Sequence, residues 1–244
     1  MALREIHCRA TETFQCEKDV GLRKHLQVNF PCDLLIRDAA AKAFTEHAPR
    51  VDVFTAGFPC QPYSVAGAHR GELDSRAAVI DHIIAYIRRA RPAVWLLGNV
   101  PGLASQHRDH FKQVLRRLCK DASREKQYVV KWKLLDTSEH GVPHRRRRIY
   151  IVGILKSRLA HPFRFPRRFR SAPPLASILC NRAARRCTLR KTAKHARKQV
   201  ATLYKTLRQR KQRLSLQHEV AADIDSSTLH YRVDMLPCLT AAMG

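Results

Sequence analysis

At 244 residues the chain can form one large domain, or a medium domain with a small one, and a hydrophobic content of 45% supplies a core and excludes wholesale disorder. It carries 46 Lys and Arg against 20 Asp and Glu, a formal net charge of +26, and a field of that sign attracts a polyanion, most often nucleic acid. No apolar run approaches a membrane span, no lipidation signal is visible, and Met1–Ala10 carries charges without the apolar stretch of a secretory leader, so no membrane or secretory role is expected.

Taken in chain order, Val51–Gly57 is short, β-rich and ends at glycine, as a buried strand does. Over Ser75–Ala90 the apolar residues Val79, Ile80, Ile83, Ile84 and Ile87 fall on one helical face, and Pro92 closes the run. Ala93–Leu97 is a second buried strand. His110–Cys119, with Phe111, Val114, Leu115 and Leu118, is a second amphipathic helix. Val129–Leu135 and Ile149–Leu155 are two further strands. Alternating strands and helices predict an α/β fold, Rossmann-like, with a mostly parallel sheet and helices on both faces. Ligands in such sheets bind at the carboxyl ends of the strands.

After about Leu155 the composition changes. From His140 through His218 there is no Asp or Glu, and Pro173-Pro174 marks a linker. Ala193–Leu216 has the composition of a helix that is basic on nearly every side. Residues 1–155 are therefore expected to form one domain and residues 156–244 a basic region that meets phosphates. The alternative for that region is a solvated tail.

The eight cysteines are scattered, with no C-x-x-C pair, so a structural metal site is not expected. Without a secretory leader the thiols are expected to stay reduced and the protein to be intracellular. In that setting Cys60 stands out. In Gly57-Phe58-Pro59-Cys60-Gln61-Pro62-Tyr63-Ser64 it leaves a strand and enters a turn stiffened by two prolines, which suits a nucleophile held on one line of attack. Taken by itself, Cys60 reads as an ordinary buried cysteine, the commonest fate of the residue. The run Arg145–Arg148 reads either as a localisation or phosphate cluster or as part of a strand. In a strand, Arg146 and Arg148 share one face, and Arg145 and Arg147 the other. One pair then points into a site and the other meets solvent or phosphate.

These residues resemble the DNA (cytosine-5)-methyltransferase family. GFPCQPYS is similar to its catalytic loop, Asp74-Ser75-Arg76 to the D-x-R element after it, Leu96–Leu103 to its E-N-V strand end, and Gly141–Gly153 to its G-V-P-Q-x-R-x-R strand. Phe14–Asp19 resembles the second cofactor-binding strand and Leu34–Asp38 the third. Leu236–Gly244 is similar to a P-x-L-T-x element near the family's end. The motifs follow the family's order, which one motif alone would not establish.

The resemblance implies a cytosine flipped out of double-stranded DNA and attacked by Cys60, with S-adenosylmethionine as methyl donor. It implies that Arg146 and Arg148 serve the base. Gln61, Ser64, Arg145 and Arg147 are expected to contact DNA. Glu17 is expected to bind the cofactor ribose, and Asp38 its adenine amino group.

Three departures temper this. The family glutamate position is Gly98, the glycine-rich first cofactor loop has no counterpart in Met1–Thr13, and the family's last helix has none after Gly244. The family glutamine is also His144. These predict a missing first strand, impaired transfer, and poor solubility or reliance on a complementing chain. One alternative is an inactive remnant that binds nucleic acid. Another is a tRNA cytosine-5 methyltransferase, but the C-F-T tripeptide of that branch does not occur in this chain. Nuclear residence is expected if the source is eukaryotic.

Overall fold

The computed structural model describes residues 7–59, 78–120 and 127–169, residues 202 and 205, and the stretches 220–223 and 230–233. The expectations for Cys60, Gln61, Ser64, the D-x-R element and Leu236–Gly244 lie outside the described residues. So does the Ala193–Leu216 helix, apart from Thr202 and Lys205, both helical.

The chain divides into two compact units, Met1–Leu134 with Arg148–Arg164, and Leu135–Arg147 with Phe165–Gly244. The first opens with β1 (Phe14–Cys16), α1 (Val20–Asn29) and β2 (Leu34–Ile36), followed by β3 (Val53–Gly57), α2 (Val79–Ala90), β4 (Val94–Asn99) and α3 (Arg108–Cys119). The strands β5 (Tyr128–Asp136) and β6 (Arg147–Leu155) come next. In the second unit β7 (Val220–Asp223) and β8 (His230–Val233) pair antiparallel.

The four-stranded sheet has the order β3-β4-β6-β5, and β1 and β2 form a pair of their own. The sheet is mixed. β1–β2 and β3–β4 are parallel, whereas β4–β6 is antiparallel. The parallel steps are those with a helix between the strands. The link Thr137–Arg146 holds only a short 3-10 turn over Thr137–His140, less than the dozen or so residues a parallel crossover needs.

The helical spacing is expressed as burial. Ile80, Ile83, Ile84 and Ile87 of α2 are buried, as are Phe111, Val114 and Leu118 of α3. α2 begins with Asp81 in its first turn and ends with Arg88 and Arg89 in its last, complementing the helix dipole at both ends. It stops at Arg91, which adopts the left-handed conformation (φ 51°) usually left to glycine. Pro92 follows and cannot continue the helix.

An aromatic cluster ties the first strand pair to the larger sheet. Phe14 stacks on Phe54 with ring centroids 6.3 Å apart, and Phe54 meets Tyr86 at 4.7 Å. The Tyr86 hydroxyl donates to the Pro49 carbonyl at 2.6 Å. At the sheet centre Trp95 and Leu97 are fully buried. Trp95 lies opposite Gly153 in the β4–β6 register. A Cβ at Gly153 would come within 2.0 Å of the Trp95 ring, so only glycine fits there.

The helix α1 differs from the others. It has no buried residue, and Val20 and Val28 are 58% and 81% exposed. No helix of the described residues is long and apolar enough to cross a membrane.

Candidate functional site

The two acids expected to hold a cofactor come together. Because β1 and β2 are parallel, both strands end at the same edge, and the Glu17 amide donates to the Ile36 carbonyl at 3.1 Å. Glu17 is half-buried and its Oε1 accepts the Asp19 amide at 2.9 Å. Asp19 in turn caps α1 through the Leu22 amide at 2.8 Å. The Arg23 guanidinium donates to the carbonyls of Glu17 and Lys18. Asp38 accepts the Ala40 amide at 2.9 Å and pairs with Lys18 at 3.1 Å. The Ala40 amide and then the Lys18 ammonium hold its carboxyl below the usual carboxylate range. Asp38 is thus an ionised acceptor at neutral pH. Two carboxylates on adjacent strand ends suit a ligand that presents hydroxyl and amino donors, so the acceptor set fits an adenosine-type group.

The second feature lies where β3 and β4 end side by side. β3 delivers the chain to Phe58 and Pro59, immediately before Cys60. Asn99, the last residue of β4, is 3% exposed. Its amide Nδ2 donates to the Phe58 carbonyl at 3.4 Å, and its Oδ1 accepts the Val100 amide at 2.7 Å. Asn99 therefore grips the backbone two residues before Cys60. Beside it, Gly98 pairs with Gly57 on one side and Tyr150 on the other. A Cβ at Gly98 would meet nothing within 4 Å. The strand end has room for a side chain that the sequence does not supply.

The third feature belongs to the second unit. Asp136 ends β5 and is 9% exposed. Its Oδ1 accepts the Ser138 amide at 3.2 Å, the Ser138 hydroxyl at 3.0 Å and the Arg146 amide at 3.2 Å. Its Oδ2 meets the Arg145 Nε at 3.5 Å. Burial pushes this carboxyl up, but the Ser138 hydroxyl and amide, the Arg146 amide and the Arg145 charge outweigh that and hold it below its ordinary value. The Thr137 hydroxyl donates to the His144 carbonyl and accepts the Arg146 amide at 3.1 Å. Gly141 takes φ 84° at the turn, where a β-carbon would be strained. Arg145 and Arg147 are exposed, and Arg146 and Arg148 are half-buried, the alternation of an extended segment.

Among the described residues no group of three His, Cys, Asp or Glu is placed to hold a metal ion. Sequence reasoning missed two residues. Asn99 lay within the quoted strand end, and a polar residue closing an apolar strand was its signal. Asp136 gave none, because its role comes from a turn that folds Arg146 back onto it.

The family model for C-5 cytosine-specific DNA methylase matches residues 2–234. The chain belongs to that family. It is 36% identical over 168 residues to the type II methyltransferase M.HaeII of Haemophilus aegyptius, covering 68% of this chain and 49% of that relative. It is 33% identical over 136 residues to the type II methyltransferase M.NgoBV of Neisseria gonorrhoeae, covering 54% of this chain and 32% of the relative. The chain thus spans a third to a half of the length of these methyltransferases. Two solved structures share the α/β fold. One is the Entamoeba histolytica methyltransferase EhMeth, with a TM-score of 0.55, 19% identity, and 72% of this chain against 53% of that one. The other is a mutant of Spodoptera frugiperda DNMT2, with a TM-score of 0.52, 22% identity, and coverages of 73% and 55%.

Proposed function

We propose that the chain performs the family's chemistry, methyl transfer to C5 of cytosine in DNA, at a rate lowered by Gly98. The observation that carries this reading is the Asn99 grip on the Phe58 carbonyl, which fixes the backbone leading to Cys60. Cys60 as thiolate attacks C6 of a cytosine flipped from the duplex, which makes C5 electron-rich. After methylation the C5 proton leaves, and then the cysteine. S-adenosylmethionine, when bound, supplies the methyl group. Glu17 accepts hydrogen bonds from its ribose hydroxyls and Asp38 from its adenine amino group. Arg146 and Arg148 serve the base carbonyl and the catalytic loop through permanent charge and planar donors. Gln61, Ser64, Arg145 and Arg147 contact the DNA. Residues 1–155 carry the catalysis and residues 156–244 the DNA recognition. The setting is intracellular, nuclear in a eukaryote, and a complementing chain belongs to the same proposal.

Gly98 favours a second reading, an inactive relative that binds nucleic acid. It leaves ring N3 without a carboxylate partner, and losing a group that stabilises developing charge costs roughly a hundredfold or more in rate. Duplex DNA carrying 5-fluorocytosine separates the two. With S-adenosylmethionine present, the parent chain is expected to give a slow, denaturant-stable adduct that Cys60→Ala abolishes. Gly98→Glu, whose β-carbon enters open space, is expected to form it about a hundredfold faster. No adduct from either chain, with DNA binding retained, overturns the catalytic reading in favour of the second.

A further inference from the structure

The end of the sheet opposite Gly57 and Asn99 is also charged, and the proposed chemistry does not use it. An open groove of about 400 Å³ lies at the start of β3 and β4 and the end of β6, lined by Arg50, Asp52, Arg91 and Arg158 with Val51 and Leu155 among its apolar walls. Arg50, Arg91 and Arg158 are exposed. Arg91 also lines an adjoining crevice with Arg88, Arg117 and Lys120. Among the described residues, Asp81 near the crevice is paired with Arg117 at 2.6 Å, and Asp52 is the acid lining the groove.

Basic residues in the last turn of a helix are explained by the helix dipole, which accounts for Arg88, Arg89, Arg116 and Arg117. It does not account for Arg50, which precedes β3, and a single 3-10 turn, Lys156–Arg158 after β6, has little dipole to account for Arg158. Neither makes an ion pair among the described residues. Arg91 is held in the left-handed conformation at φ 51°, where an arginine is uncommon and a glycine would be unstrained. Its guanidinium makes one hydrogen bond, to Gln127 Oε1 at 3.1 Å. Three guanidinium groups thus line one open groove with a single carboxylate among its described lining residues.

We infer that this groove is a second contact for the phosphate backbone of nucleic acid, at the end of the sheet opposite Gly57 and Asn99. Guanidinium forks match phosphate oxygens two at a time, and the open groove leaves room for a backbone to lie across it. The formal net charge of +26 favours a polyanion as occupant. The contact is independent of sequence and of methyl transfer, so it stands whether or not Cys60 reacts.

The test uses the full chain with Arg50, Arg91 and Arg158 all changed to Gln, titrated with a fluorescent 30-base-pair duplex over a salt series. Each lost phosphate contact removes about 0.9 from the slope of log affinity against log salt. The slope is therefore expected to fall by about 2 to 3, with at least a tenfold loss of affinity at low salt. A control with Lys24, Arg108 and Lys112 changed to Gln carries the same net charge and is expected to retain most of both. An unchanged slope in the groove variant, or an equal fall in the control, overturns the inference. Loss of binding to phosphatidylserine vesicles with DNA binding intact overturns it in favour of a membrane surface. If the triple variant fails to fold, phenylglyoxal modification of the parent chain decides. Bound duplex is expected to protect Arg50, Arg91 and Arg158, and equal labelling with and without DNA overturns the contact.

Discussion

A buried amide side chain is tolerable only when both of its ends are satisfied. Asn99 meets that condition with the Phe58 carbonyl at one end and the Val100 amide at the other. Alanine there would strip both partners at once. Leaving a buried polar group unpaired costs about 1–3 kcal/mol, so Asn99→Ala is expected to lower stability by that order in urea melts. A packing role alone predicts nothing further. If Asn99 also positions the cysteine loop, adduct formation should slow by more than the unfolded fraction explains, while duplex affinity stays near that of the parent. At this scale Cys60, Glu17 and Asp38 were all singled out through the resemblance, since a cysteine between prolines reads by itself as an ordinary buried thiol and a lone acid after a three-residue strand has no pattern of its own. Asp136 was not legible. Four of its contacts come from Ser138, Arg145 and Arg146, and no spacing rule brings those residues to one carboxylate.

Elements with a long period were the easiest to read. The 3.6-residue spacing in α2 and α3 predicted most of the buried side chains, because a helix has only one way to bring such residues onto a face, although Val79 and Leu115 are only half-buried and Tyr86 and Ala90 join the buried set. Strand positions were close, with β6 beginning at Arg147 rather than Ile149. The antiparallel step between β4 and β6 was not legible from composition, because a buried apolar strand looks alike in either direction. That step also creates a tight fit. Gly153 sits where the Trp95 ring crosses to the neighbouring strand. Gly153→Ala is expected to destabilise the sheet by about 1–3 kcal/mol, the usual cost of overpacking a core, or more, since ring and backbone are both fixed. A thermal melt would register this as a lower Tm, and Gly57→Ala, whose β-carbon meets open space, is the matched comparison. An unchanged Tm in Gly153→Ala would mean that Trp95 has another rotamer available.

For the molecule as a whole, a formal charge of +26 means that self-repulsion opposes the compact state, and the few carboxylates that are well bonded matter more than their number suggests. Asp38 and Asp136 each have a folded-state pKa below the usual value. A depressed carboxyl contributes stability that is present above its unfolded pKa and lost as pH falls through the folded one. The urea midpoint should therefore hold near neutrality and drop below about pH 4. Asp136→Asn should be less stable at neutral pH and converge on the parent in acid. Parallel curves at all pH values would remove Asp136 from this account. The net charge was available from the sequence, but its concentration in a groove at one end of the sheet was not, because Arg50, Arg91 and Arg158 meet only after the sheet is built.

The bare surface of α1 bears on how the chain comes apart. With no buried side chain, this helix is tied down by its Asp19 cap, the Arg23 contacts to the preceding carbonyls and its own backbone ladder. Such a segment can open without disturbing the aromatic cluster beside it, and local openings of this kind set amide exchange far below the global limit. Deuterium would enter α1 well before α2, and the strand end that carries Glu17 would feel each opening. Ligand affinity at that edge would then contain the free energy of closing one helix.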